Sequence, residues 1–64
     1  MRSNLLDLTV IAVHTTDRAI LVKDAEDAEG VWLPLSAIEV DLASDGRTAT
    51  ITIPEALAQE KGLI

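Results

Sequence analysis

The chain has 64 residues, no cysteine and one histidine, and its five Lys and Arg residues against eleven Asp and Glu residues give a formal net charge of -6. This length allows one small domain, the missing thiols exclude disulfides and cysteine metal sites, and a single histidine does not make a zinc site alone. A hydrophobic fraction of 48% is too high for a disordered acidic tail, and the negative charge disfavours general binding to nucleic acid or to anionic membranes.

The first part of the chain predicts two short strands rich in β-branched residues, at about residues 6-14 and 19-23, with a polar turn between them. One face of the first strand would carry leucine, valine and alanine. The opposite face would carry Thr9, Ile11 and Val13 and is apolar enough to be partly covered. Because one short helix can scarcely cover so much apolar surface, we expect self-association as a homodimer.

An acidic loop follows the second strand. It contains Asp24, Glu26, Asp27 and Glu29 ahead of Gly30, a pattern that indicates a solvated hairpin loop. The loop lacks the spacing and the central glycine of a calcium-binding EF-hand. We therefore expect neither a metal site nor a cofactor.

The third strand, residues 31-34, ends at Pro34, which cannot donate a hydrogen bond to a strand ladder. The residues on either side of Trp32 are apolar and would face the core, so Trp32 would point to the opposite face, beside Pro34. There Trp32 either covers the second face of the sheet or packs under the helix, or it is a partly exposed anchor for a protein partner. Leu35 would then begin a short turn of 3₁₀ type.

The fourth and fifth strands, about residues 38-42 and 47-53, form the clearest alternating pattern, and Asp45-Gly46 between them is typical of a hairpin. Glu39 and Asp41 would lie on the same side as the threonines of the fifth strand. The apolar positions that we expect to face the core are Ile38, Val40, Leu42, Ala49, Ile51 and Ile53.

The C-terminal segment, about residues 54-61, predicts a short helix. Pro54 suits its first position and Glu55 complements the positive end of the helix dipole. Gly62 would be the left-handed cap, with Leu63 folding back onto the helix.

Five short strands and a helix predict a mainly β fold in one domain, residues 1-64. Two forms fit this pattern: a five-stranded curled antiparallel sheet, and a small barrel of SH3-like or OB-like type.

Groups suited to catalysis are sparse in this chain. His14 lies at the end of a predicted strand, and its nearest acid in sequence is Asp17. The carboxylates fall in loops or on a wet strand face, where burial does not raise the pKa as a general acid requires. The glycines at 30, 46 and 62 are too far apart for a phosphate-binding loop. We therefore expect a protein that is not an enzyme.

Three segments resemble a family of short, uncharacterised phage and prophage proteins. They are the Ala-Ile-Leu-Val of the second strand, the Trp-Leu-Pro-x-Ser-x-Ile-Glu block at residues 32-39 and the Pro-Glu-x-Leu-Ala-x-Glu-Lys-Gly-Leu segment at residues 54-63. The resemblance covers residues 19 to 64. The chain departs from the family pattern at Leu35 and Ala37, where members often carry Lys and Gln around the serine, and at Ala56, where they often carry a bulky aromatic residue. The resemblance implies a phage or mobile-element origin rather than a particular activity.

These observations favour a non-enzymatic phage or mobile-element protein that binds and inhibits or modulates a host complex, for example an anti-CRISPR protein. The partner would be a host protein or nucleoprotein complex with a basic surface, met in the host cytoplasm, without a membrane and without direct nucleic-acid binding. The alternative is an accessory module in phage DNA metabolism or virion assembly. The expected partner-binding residues are Trp32, Pro34, Leu35, Asp24, Glu26, Asp27, Glu29, Glu39 and Asp41.

Overall fold

The computed structural model describes residues 4–64, which form one open sheet of five antiparallel strands followed by a short helix. The strands are β1 (Leu5–Thr15), β2 (Ala19–Lys23), β3 (Val31–Pro34), β4 (Glu39–Leu42) and β5 (Thr48–Pro54). A 3₁₀ turn, Leu35–Ala37, connects β3 with β4, and helix α1 covers Glu55–Glu60. The predicted mainly β fold is thus confirmed, with the strands and the helix close to their expected positions.

The strand order in the sheet is β3-β2-β1-β5-β4, so the long strand β1 is the centre of the fold. Its first part, from Leu5 to Ile11, pairs with β5, and its second part, from Ile11 to Thr15, pairs with β2. Val13 is an extra residue in the β1–β2 ladder, because Ala12 and His14 face consecutive residues of β2. A bulge of this kind bends a strand and increases its twist.

The sheet does not close into a barrel, so of the two predicted forms the structure has the open one. Strands β3 and β4 are the free edges of the sheet. The 3₁₀ turn lies between these two edge strands, which follow each other in the chain but do not pair. The β2–β3 ladder extends one pair into the start of the turn, where the backbone N–H of Leu35 donates a hydrogen bond of 2.8 Å to the carbonyl of Arg18.

The core is entirely aliphatic. Its buried members are Val10, Ile20, Val22, Leu33, Ile38, Ala49, Ile51, Ile53 and Ala58. The predicted inward face of β5 is therefore confirmed, and so is the burial of Ile38. Leu42 departs from the prediction, since 53% of its surface is exposed. It lies at the end of an edge strand beside the β4–β5 loop, where no further strand covers it.

Helix α1 is fixed to the core by Ala58, which is fully buried. The predicted cap is confirmed. Gly62 has a φ of +76°. The N–H of Leu63 bonds to the carbonyl of Ala58 at 2.9 Å, and the N–H of Gly62 bonds to that of Gln59 at 3.2 Å. This pair of bonds is the Schellman motif, which satisfies carbonyls that the end of a helix leaves free. None of the helices in the described part of the chain is long and apolar enough to span a membrane.

Candidate functional site

The side of the sheet that faces away from the core, here called the outer face, carries the candidate site. Side chains alternate along a strand, so the threonines of β5 lie on the face opposite its buried alanine and isoleucines. Helix α1 places its buried residue among the core side chains, on the other side of the sheet. The outer face is therefore where the sequence can vary without disturbing the core.

A groove with a volume of about 320 Å³ crosses the outer face of β1, β5 and β4. It is lined by Asp7, Glu39, Val40, Asp41, Thr50 and Thr52, and is here called the acidic groove. Glu39 pairs across the ladder with Thr52, and Asp41 with Thr50. This register confirms that the two acids share a side with the threonines.

Three carboxylates line the acidic groove, those of Asp7, Glu39 and Asp41, and none of its lining residues is a lysine or an arginine. The carboxylate of Asp7 accepts a hydrogen bond of 2.9 Å from the hydroxyl of Thr52, another residue that lines the groove. Like charges gathered in a concave surface add their fields, so this region attracts cations and cationic partners. Asp7 was not among the predicted site residues. The sequence signal for Asp7 is the alternating pattern of β1, in which this acid lies between two leucines and therefore faces away from the core.

A second feature lies toward the other edge of the outer face. Trp32, Leu21 and His14 form a row across β3, β2 and β1, because Leu21 pairs with both of the others. We call this row the tryptophan strip. The rings of Trp32 and His14 meet edge to face, at 89° with 6.2 Å between their centroids. Trp32 thus covers part of the outer face, as one prediction held, and still exposes 45% of its surface.

The two predicted residues that follow this part of β3, Pro34 at its end and Leu35 in the 3₁₀ turn, differ in how much of their surface is exposed. Pro34 is exposed and lies on the same side of β3 as Trp32. Leu35 is half-buried and packs against the core, so most of its side chain supports the fold. The structure therefore groups Trp32 with Pro34 on one edge strand and Glu39 with Asp41 on the other.

The acidic loop between β2 and β3 forms a separate region. Asp24, Asp27 and Glu29 are exposed. Glu26 forms an ion pair of 2.7 Å with Arg47 of the β4–β5 loop, and both side chains are well exposed. Such surface pairs contribute about 0 to 1 kcal/mol. Within residues 4–64, no three histidine or carboxylate side chains converge into a set that could hold a metal ion.

Asp45 serves the hairpin rather than the acidic groove. Its carboxylate accepts hydrogen bonds from the backbone N–H groups of Arg47 and Thr48, both at 2.9 Å, and from the hydroxyl of Thr48 at 2.8 Å. These bonds, chiefly the one from Arg47, hold the pKa of Asp45 below its ordinary value. The sequence pattern Asp45-Gly46 identified the hairpin, and Gly46 supplies the positive φ of 73° that the loop needs.

Replacing Asp45 with alanine is expected to lower the midpoint of thermal unfolding at neutral pH, with a smaller effect in acid. A carboxylate whose pKa is depressed by folding stabilises the protein above its unfolded pKa, and that contribution is lost as the pH falls through the folded pKa. Circular dichroism melts of the wild type and of Asp45→Ala, at about pH 7 and about pH 2, would measure the two differences. Asp24→Ala, in an exposed loop, is the control. A difference that is as large in acid as at neutral pH would contradict this role for Asp45.

No known family model matches this chain, and comparisons with curated proteins and with solved structures find no match either. The chemistry of the outer face and the pattern of the sequence therefore provide the basis for a function.

Proposed function

We propose that this chain is a non-enzymatic binding protein whose outer face docks on a basic surface of a host protein or nucleoprotein complex. The observation that carries the proposal is the acidic groove, which is lined by Asp7, Glu39 and Asp41 and by no lysine or arginine. A basic partner complements this charge, which speeds encounter and disfavours acidic competitors.

The tryptophan strip supports the same proposal, because it offers a partner an apolar contact in addition to the charges of the acidic groove. A half-exposed Trp32 presents a large apolar surface, and its edge contact with His14 limits the orientations of the ring. Tryptophan is enriched among the residues that dominate binding energy at protein interfaces. An interface of this kind combines an apolar anchor with charges that steer the partner.

The specific form of the proposal is an inhibitor of a CRISPR effector complex. Such a complex holds nucleic acid in a positively charged channel. A chain with a net charge of -6 and an acidic groove could compete for that channel. The segments that resemble phage proteins support an origin in which such an inhibitor is useful, and the site of action would be the host cytoplasm.

Neutralising the groove is expected to weaken binding about tenfold, because two steering charges at the interface are lost. The variant is Glu39→Gln with Asp41→Asn, and binding would be measured with purified, immobilised CRISPR effector complexes at low and high salt. The matched control is Glu55→Gln with Glu60→Gln, which removes the same charge from exposed positions on α1, on the other side of the sheet, and should leave affinity nearly unchanged.

Two results would count against the proposal. One is the absence of any binding to these complexes at low salt. The other is an equal loss of affinity in both charge variants, which would assign the effect to net charge rather than to the groove. Retention of single-stranded DNA at physiological salt would instead favour the accessory-module alternative.

A further inference from the structure

The open sheet leaves backbone groups unpaired along β4. The N–H of Ala43 donates a hydrogen bond of 2.7 Å to the carbonyl of Thr48, which places these residues opposite each other as a hydrogen-bonded pair. In an antiparallel ladder such pairs alternate with non-bonded ones. Asp41 and Glu39 therefore direct their backbone groups toward β5. Val40 and Leu42 direct theirs away from the sheet, at its free edge.

The opposite edge is less able to accept another strand. The hydrogen bond of 2.8 Å from the N–H of Leu35 to the carbonyl of Arg18 fixes the alternation in β3. By the same rule, Trp32 and Pro34 are the residues whose backbone groups point away from β2. Because proline has no N–H, this edge offers one donor where β4 offers two. Proline on an edge strand is a common protection against unwanted pairing.

The side chains of β4 determine what kind of strand could join it. Glu39 and Asp41 lie on the outer face, whereas Val40 and Leu42 lie on the core side, where Leu42 is 53% exposed. A second copy of β4, aligned antiparallel, would place acid opposite acid, an arrangement that destabilises a sheet. The predicted homodimer is therefore not favoured at this edge. A strand with lysine or arginine at alternate positions would meet the acids, and its apolar residues would cover Leu42.

We propose that β4 is a strand-addition site for an extended segment in which basic and apolar residues alternate. This inference rests on the proposed function and names the kind of segment that the basic partner presents. Main-chain bonds to Val40 and Leu42 would hold the segment, and the charges would select it. The addition would extend the sheet by one strand beside the acidic groove.

Synthetic peptides test the inference without altering the protein. The probe is a fluorescent hexapeptide that alternates lysine and valine, and fluorescence anisotropy measures its affinity for the full chain. In the proposed register the valines lie opposite Val40 and Leu42 and share hydrogen bonds with them, whereas the N–H groups of the lysines point outward. Methylating the valine nitrogens should weaken binding about tenfold or more, and methylating the lysine nitrogens should leave it nearly unchanged.

Two further measurements complete the test. A peptide of the same composition in block order, three lysines and then three valines, should bind more weakly than the alternating peptide. Amide hydrogen exchange followed by NMR should show slower exchange at Val40 and Leu42 when the alternating peptide is bound, and little change at Trp32.

Equal affinities for the two methylated peptides would overturn strand addition at β4, as would equal binding of the block peptide or protection at Trp32 alone. The proposed function fails separately. If the groove variant still weakens binding to the effector complexes while the peptides show no methylation effect, the docking surface stands and only the added strand is rejected. If the peptides behave as expected and no effector complex binds, the β4 site stands and the assigned host partner is rejected.

Discussion

Replacing Ile51 with alanine is expected to remove most of the stability of the domain. Ile51 is fully buried near the middle of β5 and lies opposite Leu8 of β1 and Val40 of β4. Truncating a buried isoleucine costs about 2–5 kcal/mol, because the loss of transfer free energy is increased by the cavity that remains. A domain of this length has a total stability of roughly 3–10 kcal/mol, so this single change removes a large share of it.

Urea unfolding followed by far-ultraviolet circular dichroism would measure the free energy of unfolding of Ile51→Ala. The control is Ile64→Ala, which truncates the same side chain at a position where 55% of it is exposed. That variant should stay within about 0.5 kcal/mol of the wild type. Similar losses in the two variants would mean that the contacts around Ile51 do not form the centre of the core.

The inward and outward faces of β5 could be predicted because the sequence alternates threonine with alanine and isoleucine without interruption. A slip of one residue would expose Ile51 and Ile53 and bury the threonines, so the pattern allows a single orientation. The end of α1 was equally predictable, because a left-handed residue after a short helix favours glycine, and Gly62 is in the right place. In both cases the relevant physics is local.

Long-range pairing could not be predicted in the same way. Asp7 joins the acidic groove only because β1 pairs with β5 in a register that places it opposite Thr52. The sequence contains no local signal for that neighbour, which lies 45 positions away. The exposure of Leu42 has the same origin, since the alternation in β4 does not reveal that the strand lies at an edge. Whether the sheet closes likewise depends on contacts between distant segments.

The position of the acidic groove relative to Trp32 depends on that same sheet order. Sequence reasoning placed both among the candidate contacts, but it did not separate them. The structure assigns the acids to the β4 side of the outer face and Trp32 to the β3 side. A partner that uses both must therefore cover the width of the sheet, and a partner that uses one leaves the other in water. Substitutions of Trp32 and of the groove acids, tested separately, distinguish these cases.

Trp32→Ala is expected to weaken binding to the proposed partner about thirtyfold or more, because truncating a hot-spot aromatic residue typically costs at least about 2 kcal/mol of binding energy. Two properties of Trp32 suit it to this role, the restricted orientation of its ring and its exposed surface. It is already held against His14, so little freedom of the ring is lost on binding, and its 45% exposed surface remains available for burial.

The affinity of Trp32→Ala for the immobilised effector complexes would be compared with that of Trp32→Phe, which keeps an aromatic ring and should recover part of the loss. Thermal melts would verify that both variants fold, since the half-exposed position lies outside the buried core. Ile64→Ala serves as the control for removing an exposed apolar side chain elsewhere. If Trp32→Ala binds like the wild type while neutralising Glu39 and Asp41 weakens binding, the contact is confined to the acidic groove and Trp32 only covers the sheet.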